Sequence, residues 1–145
     1  MNQTIERKLA DKQGMGSSLN NIGNVHSSKG DYDKALEYLK KSLSIQKEIG
    51  IKDLELETTT YLYLTYKQLR KDYDKNEIHS LIKEAENIEF EVNLRLYEFL
   101  EDTSYLESAY NQVQEKASAM ENKFKAKFLS YPIPKAIVEE WEQVK

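Results

Sequence analysis

The chain repeats itself, and that constrains its fold more than any other feature, because a repeated unit must bury its apolar face against its own copies. Shifted by forty residues, the first half lays Ile5 on Ile45, Leu9 on Ile49, Lys12 on Lys52, Ser18 on Thr58 and Ile22 on Leu62. One extra residue then enters, and Asp31-Tyr32-Asp33-Lys34 matches Asp72-Tyr73-Asp74-Lys75 letter for letter. After a second single-residue slip, Leu36, Leu39 and Leu43 fall on Ile78, Leu81 and Ala85, and a shorter third copy follows with Tyr105 in the place of Tyr73. Slips of one residue are tolerable at turns; inside a helix they would rotate the buried face away.

Each unit predicts two helices. Leu19, Ile22, Val25 and His26 recur at spacings of three and four and predict an apolar stripe on a helix from Met15 to Ser28. Gly30 suits the left-handed end of that helix, and Asp31 is expected to cap the next through its carboxylate. That second helix is expected from Tyr32 to Ile49, with Leu36, Leu39, Leu43, Ile45 and Ile49 inward and Gly50 as its stop. A second pair is predicted over 54–70 and 73–90, and a third over 92–101 and 104–120. Ser104 and Glu107 have the spacing of a capping box for the last of these. Short turns between such helices imply antiparallel hairpins stacked in order.

The segment Leu19-Asn20-Asn21-Ile22-Gly23-Asn24-Val25-His26, followed by Gly30-Asp31-Tyr32-Asp33-Lys34-Ala35-Leu36, resembles the tetratricopeptide repeat family. Gly23 and Ala35 stand at that family's two small sites, Leu19, Ile22, Tyr32 and Leu39 at its larger packing sites, and Ser42 at a further small one. In the second unit Tyr63 replaces Gly23 and Asn76-Glu77 interrupts the site of Ala35, so that pair is expected to be splayed or shifted. The resemblance implies an all-α fold, a right-handed superhelical stack of antiparallel hairpins with a C-terminal capping helix. One domain is expected over 1–145, comprising an N-terminal remnant or capping helix (2–12), repeats over 14–50 and 51–90, a degenerate repeat over 91–120 and a cap over 121–145. It also implies a protein-binding module whose concave groove, lined by the first helices of successive hairpins, holds a peptide or protein. Carried over by position, that groove would include Asn20, Asn24, Ser27, Thr60, Leu64 and Lys67. Family members that clamp a carboxylate tail use basic residues where this chain has Asn20 and, near the next site, Glu57 or Tyr61; only Asn24 matches, which disfavours that ligand.

A weaker resemblance covers the last forty residues or so. Tyr105-Leu106-Glu107-Ser108-Ala109-Tyr110, Phe128-Leu129, Pro132-Ile133-Pro134 and Ile137-Val138-Glu139-Glu140-Trp141 resemble the closing segment of repeat arrays in bacterial multidomain signalling regulators. There such arrays follow nucleotide-cyclase or ATPase domains, whose catalytic motifs this chain lacks. Pro132 and Pro134 are expected to break a helix. Ile137, Trp141 and Val144 then form a stripe that should fold over the third hairpin. Residues Asn2 to Ala10 match the end of a second helix without its first, so the chain is expected to begin inside a repeat of a longer array. A native start with a lone capping helix is the alternative. An exposed Ile5 and Leu9 face would favour self-association, including a homodimer through that N-terminal edge, and a structural or oligomerisation segment is the second functional expectation.

Composition narrows the partners. A formal net charge of −4 and a pI near 5.3 argue against a nucleic-acid surface, which needs a basic stripe. The chain has no cysteine, which removes thiolate metal sites and cysteine nucleophiles and fits a reducing cytoplasm. No stretch has the length and apolarity of a membrane span, and the N-terminus lacks a signal-peptide core. Gly14-Met15-Gly16 lacks the spacing and the Lys-Ser/Thr pair of a phosphate loop and is expected to be an inter-helix turn. His26 is expected in the core or lining the groove, and His79 on a surface or seam; neither has a partner at metal-ligand spacing. Glu84, Glu86, Glu89 and Glu91 point to several sides of a helix, as on a solvated face. Tyr61, Tyr63, Tyr66 and Tyr97 suit a binding surface or the seams between hairpins equally well. No enzyme, cofactor or metal is expected, and the location is expected to be cytoplasmic.

Overall fold

The computed structural model describes residues 3–145, which form α-helices joined by turns, with no strand among the described residues. In order they are α1 (Gln3–Ser28), α2 (Tyr32–Ile49), α3 (Lys52–Leu69), α4 (Lys75–Glu84), α5 (Phe90–Leu100), α6 (Thr103–Ser118), α7 (Asn122–Ser130) and α8 (Pro132–Val144). They gather into two compact units, one ending at Asn87 and the other running from Ile88 to Lys145. Asn2, where the N-terminal helix over 2–12 is expected to begin, lies outside the described residues.

In the first unit the turn expected at Gly14-Met15-Gly16 does not form. Instead α1 is one helix of 26 residues through all three positions. A glycine weakens a helix interior by only ~1 kcal/mol relative to alanine, and packing of the distal half of α1 against α2 outweighs two of them. The two helices are antiparallel, since Gly23 lies against Ala35 and Leu39 while Gly16 lies against Ile45 and Gln46. Farther along, Lys12 pairs with Glu48.

The buried line of α1 differs from the expected stripe. Gly16, Asn20 and Gly23 are buried, whereas Ile22 and Val25 remain 41% and 52% exposed. The reason is the close approach of the helices. A Cβ on Gly23 would stand 2.7 Å from Leu39 Cγ and 3.3 Å from the Ala35 carbonyl oxygen, so α2 settles on the small residues and leaves the branched ones on another flank. Beside Gly16, the buried Ser42 hydroxyl donates to the Gly16 carbonyl at 2.6 Å. On α2, Ala35, Leu36, Leu39, Ser42 and Gln46 are buried, while Leu43, Ile45 and Ile49 are only half-buried. Asp31 holds the N-cap position without a side-chain cap bond, and its carboxylate lies 3.9 Å from His26 Nδ1.

The second hairpin departs more from the first. Arg70 ends α3 at φ 57, in the left-handed conformation that Gly30 adopts at φ 81 forty positions earlier. The repeated tetrapeptide begins its helices at different points: α2 starts at Tyr32, α4 only at Lys75, where the Asp74 carboxylate accepts the Asn76 N–H at 3.0 Å. The helix expected to reach Phe90 stops at Glu84. Beyond it the Asp53 carboxylate accepts the N–H groups of Glu86 and Asn87 at 2.8 and 3.1 Å, which replaces the helical bonds those groups would make. Glu86 and Glu89 of the acidic run therefore lie outside any helix, and Glu84 pairs with Lys52 at 3.5 Å.

In the second unit α5, α6 and α8 enclose a core of Leu94, Leu106, Ala109, Val113 and Ile137. Ser104 does not cap α6; Asp102 does, with its carboxylate accepting the Ser104 N–H at 2.9 Å. A shorter acidic side chain earlier in the chain than Glu107 satisfies that orphan donor, and hydrogen bonding by the Ser104 hydroxyl, then by its N–H, lowers the Asp102 pKa. Pro132 opens α8, where a missing N–H breaks no bond. As expected, α8 folds onto the hairpin: Ile137 is fully buried and Trp141 stacks on Tyr110 with centroids 5.6 Å apart. Val144, expected in the same stripe, is exposed.

Two substitutions of one type should move stability in opposite directions. Gly14→Ala, with nothing within 4 Å of its Cβ, should stabilise the first unit by about 0.5–1 kcal/mol. Gly23→Ala should destabilise it by about 1–3 kcal/mol because Leu39 must move. Thermal and urea denaturation will show whether the signs differ. Arg70→Gly should stabilise by about 1 kcal/mol by relieving the left-handed backbone; an unchanged or lower melting temperature would contradict it.

Candidate protein-binding surface

The residues expected to line a groove come from α1 and α3, which meet where the Asn20 amide nitrogen approaches the Glu57 carboxylate at 3.5 Å. Asn20 is 96% buried by its 4% exposure. Because an amide must turn its nitrogen toward a carboxylate, its oxygen points away. That oxygen, Asn20 Oδ1, is buried and has no hydrogen-bond partner among the described residues, and the same holds for Asn24 Oδ1 one turn later. Buried acceptors without a donor are rare and unfavourable by about 1–3 kcal/mol each. Two on adjacent turns of one helix, beside an anionic side chain, make a patch that asks for N–H donors.

The other expected residues are placed unequally. Ser27 is half-buried next to the turn at Gly30, whose N–H bonds the Ser27 carbonyl at 3.0 Å. Thr60 is wholly buried and its hydroxyl donates to the Leu56 carbonyl at 2.7 Å, so it presents nothing to a ligand here. Leu64 and Lys67 are half-buried on the same helix. Glu57, absent from the expected lining, stands beside Asn20; its place near the second basic site of the carboxylate-clamping pattern is the signal for it in the sequence.

The tyrosines are placed in packing. Tyr63 is 6% exposed, stacks on Tyr73 at 5.5 Å and lies 6.0 Å from Tyr66, and its hydroxyl donates to Glu77 at 2.6 Å. Where Gly23 lets two backbones close in the first hairpin, Tyr63 fills the equivalent space in the second. Burial, then the bond to Glu77, push its phenol well above the ordinary tyrosine range. In the second unit the Tyr97 hydroxyl donates to Glu140 at 2.8 Å and is raised mainly by that bond. His26 stacks on Tyr38, with centroids 5.4 Å apart and planes 9° from parallel, and His79 is exposed on α4. No group of three or more His, Asp or Glu side chains able to hold a metal occurs among the described residues, and no helix is long and apolar enough to cross a membrane.

A proton held more tightly by folded Tyr63 than by the unfolded chain stabilises the fold fully below the usual tyrosine pKa of about 10, and that contribution is lost as pH rises above it. Tyr63→Phe should therefore lower stability by about 1 kcal/mol at neutral pH and flatten the decline seen in melts above pH ~10. An alkaline decline as steep as the parent's would contradict this assignment.

Comparison with known proteins agrees with the geometry of the first hairpin. Residues 17–48, which span the distal half of α1 and nearly all of α2, match the family model of the tetratricopeptide repeat. No curated protein and no solved structure matches the chain. Gly23, Ala35, Leu39 and Ser42 all lie within the matched segment, and they are the residues at which α1 and α2 close on one another. Among its described residues the chain is an all-α helical repeat, and residues 17–48 are similar to the tetratricopeptide repeat, a repeat type whose general role is protein–protein interaction.

Proposed function

We propose that the first unit binds an extended peptide segment along α1 and α3, as the regulatory or scaffolding part of a larger bacterial signalling protein. The observation that carries the binding site is the pair of buried, unpartnered amide oxygens on Asn20 and Asn24, with the Asn20 amide nitrogen 3.5 Å from the Glu57 carboxylate. Every one of these atoms accepts hydrogen bonds. The complementary ligand supplies main-chain N–H groups in an extended conformation, or a lysine or arginine side chain directed at Glu57. A peptide ending in a free carboxylate is the wrong partner for such a patch, since like charge and unpaired acceptors oppose it. The signalling context rests on the resemblance of the C-terminal segment around Pro132 and Trp141.

The test is an NMR titration with extended peptides of equal length that are basic, neutral or acidic. Side-chain amide signals of Asn20 and Asn24 should shift with the basic and neutral peptides and hardly move with the acidic one. Asn24→Ala should weaken binding about tenfold, the equivalent of one lost buried hydrogen bond, with the helical circular dichroism unchanged. Shifts confined to other helices, or an affinity indifferent to Asn24→Ala, would remove the groove assignment.

A further inference from the structure

The flank of α1 that α2 leaves uncovered has an order of its own. Asp11, Met15, Ser18, Ile22, Val25 and Lys29 follow one another at intervals of four, three, four, three and four, the spacing of a coiled-coil seam. All six are exposed, with Met15 at 57%, Ile22 at 41% and Val25 at 52%. Lys29 continues the helical register past Ser28, because its N–H still reaches the Val25 carbonyl at 3.2 Å. Neither Asp11 nor Lys29 has an ion-pair partner among the described residues. The seam therefore has an apolar middle, one small residue, and opposite charges at its two ends.

The chain already packs this surface once, on α3. Shifted by forty, Met15, Ser18, Ile22 and Val25 become Glu55, Thr58, Leu62 and Thr65, which are 7%, 1%, 4% and 1% exposed. Thr58 lies against α2, its hydroxyl 3.5 Å from that of Ser42. The register that meets a neighbouring helix on α3 is thus bare on α1, and more apolar there.

We propose that the bare seam is covered by α1 of a second copy of this chain, running antiparallel across a two-fold axis near Asn20. The sequence is symmetric about that point in the way such a pair requires. Asp11 of one copy meets Lys29 of the other at both ends, Met15 meets Val25, and the small Ser18 faces Ile22 and leaves room for it. A parallel pair would set Asp11 on Asp11 and Lys29 on Lys29, so the end charges select the antiparallel arrangement. Such an interface is isologous and closes on itself. With three apolar residues at its centre, the seam is small beside the ~800 Å² per partner of a standard stable interface, so the dimer is expected to be weak and to form only at high protein concentration. Its seam lies on a different flank of α1 from the patch of Asn20 and Asn24, and peptide binding and pairing can fail independently.

Sedimentation equilibrium of the full chain should show a monomer–dimer equilibrium. Asp11→Lys should weaken it about tenfold and the double variant Asp11→Lys, Lys29→Asp should restore it; both positions are exposed, so folding is not at risk. Because the chain has no cysteine, register can be read directly. An equimolar mixture of Ser18→Cys and Ile22→Cys chains should form the mixed disulfide faster than either chain alone forms its own. A monomer at every concentration up to about 1 mM would overturn the proposal, and leave the flank to a helix from another protein. So would a dimer indifferent to the charge exchange, or homodisulfides that form as fast as the mixed one.

Discussion

The approach of α1 to α2 is the contact on which the first unit depends. Gly23 has no side chain, Ala35 has one carbon, and together they let Leu39 lie against the backbone of the opposite helix. At that separation a buried serine reaches a carbonyl across the interface, as Ser42 does to Gly16. Close approach also has a consequence for what is left over. With α2 seated on the glycines of α1, the branched side chains of α1 are turned to other flanks, which accounts for the exposed apolar seam, while Asn20 is left to meet Glu57 of α3.

The interior so formed is unusually polar. Ser42, Gln46, Thr58, Thr59 and Thr60 are all buried, and Gln46 Oε1 and Thr59 Oγ1 have no partner among the described residues. Apolar packing alone does not hold α1, α2 and α3 together. Short hydroxyl bonds to carbonyls, such as Thr60 to Leu56 and Thr65 to Tyr61, satisfy donors within one helix and leave the methyl groups to pack. The second unit is built in the ordinary way, on aliphatic side chains with aromatic rings around them. Its buried amides are paired instead: the Asn93 side chain donates to Gln112 at 2.8 Å, and Gln112 donates in turn to the Ile88 carbonyl at 2.7 Å. That contrast places the unpaired buried acceptors, Asn20 and Asn24 with Gln46 and Thr59, in the first unit.

Repetition of sequence did not guarantee repetition of structure. The tetrapeptide at 31–34 and its copy at 72–75 start helices at different residues, because a ring of tyrosines in the second hairpin holds Tyr73 against Tyr63 and the helix begins only after the Asp74 cap. Likewise a left-handed helix end is made by Gly30 in the first unit of the repeat and by Arg70 in the second. In the second case the bond from the Lys71 N–H to the Tyr66 carbonyl at 2.9 Å closes the helix end in a conformation the side chain disfavours.

The local chemistry that sequence alone determined was that with a fixed short-range cause: glycine stops at Gly30 and Gly50, the helical pairs and their order, the hairpin matched over 17–48, and the return of α8 after Pro132. Each depends on backbone conformation or on periodicity within a few turns. Tertiary structure decided the rest, because a helix carries several faces and only its neighbours choose which is buried. Periodicity marked Leu19, Ile22 and Val25 as the packed stripe of α1, yet α2 took Gly16 and Gly23, since residues without a side chain permit the closer contact. Position in the repeat pointed to Thr60 as a groove residue, and burial withdrew it. The end of α4 was set by Asp53, a residue more than thirty positions away that competes for two backbone N–H groups. No pattern along a single stretch of chain can report a competitor that arrives only when the chain folds.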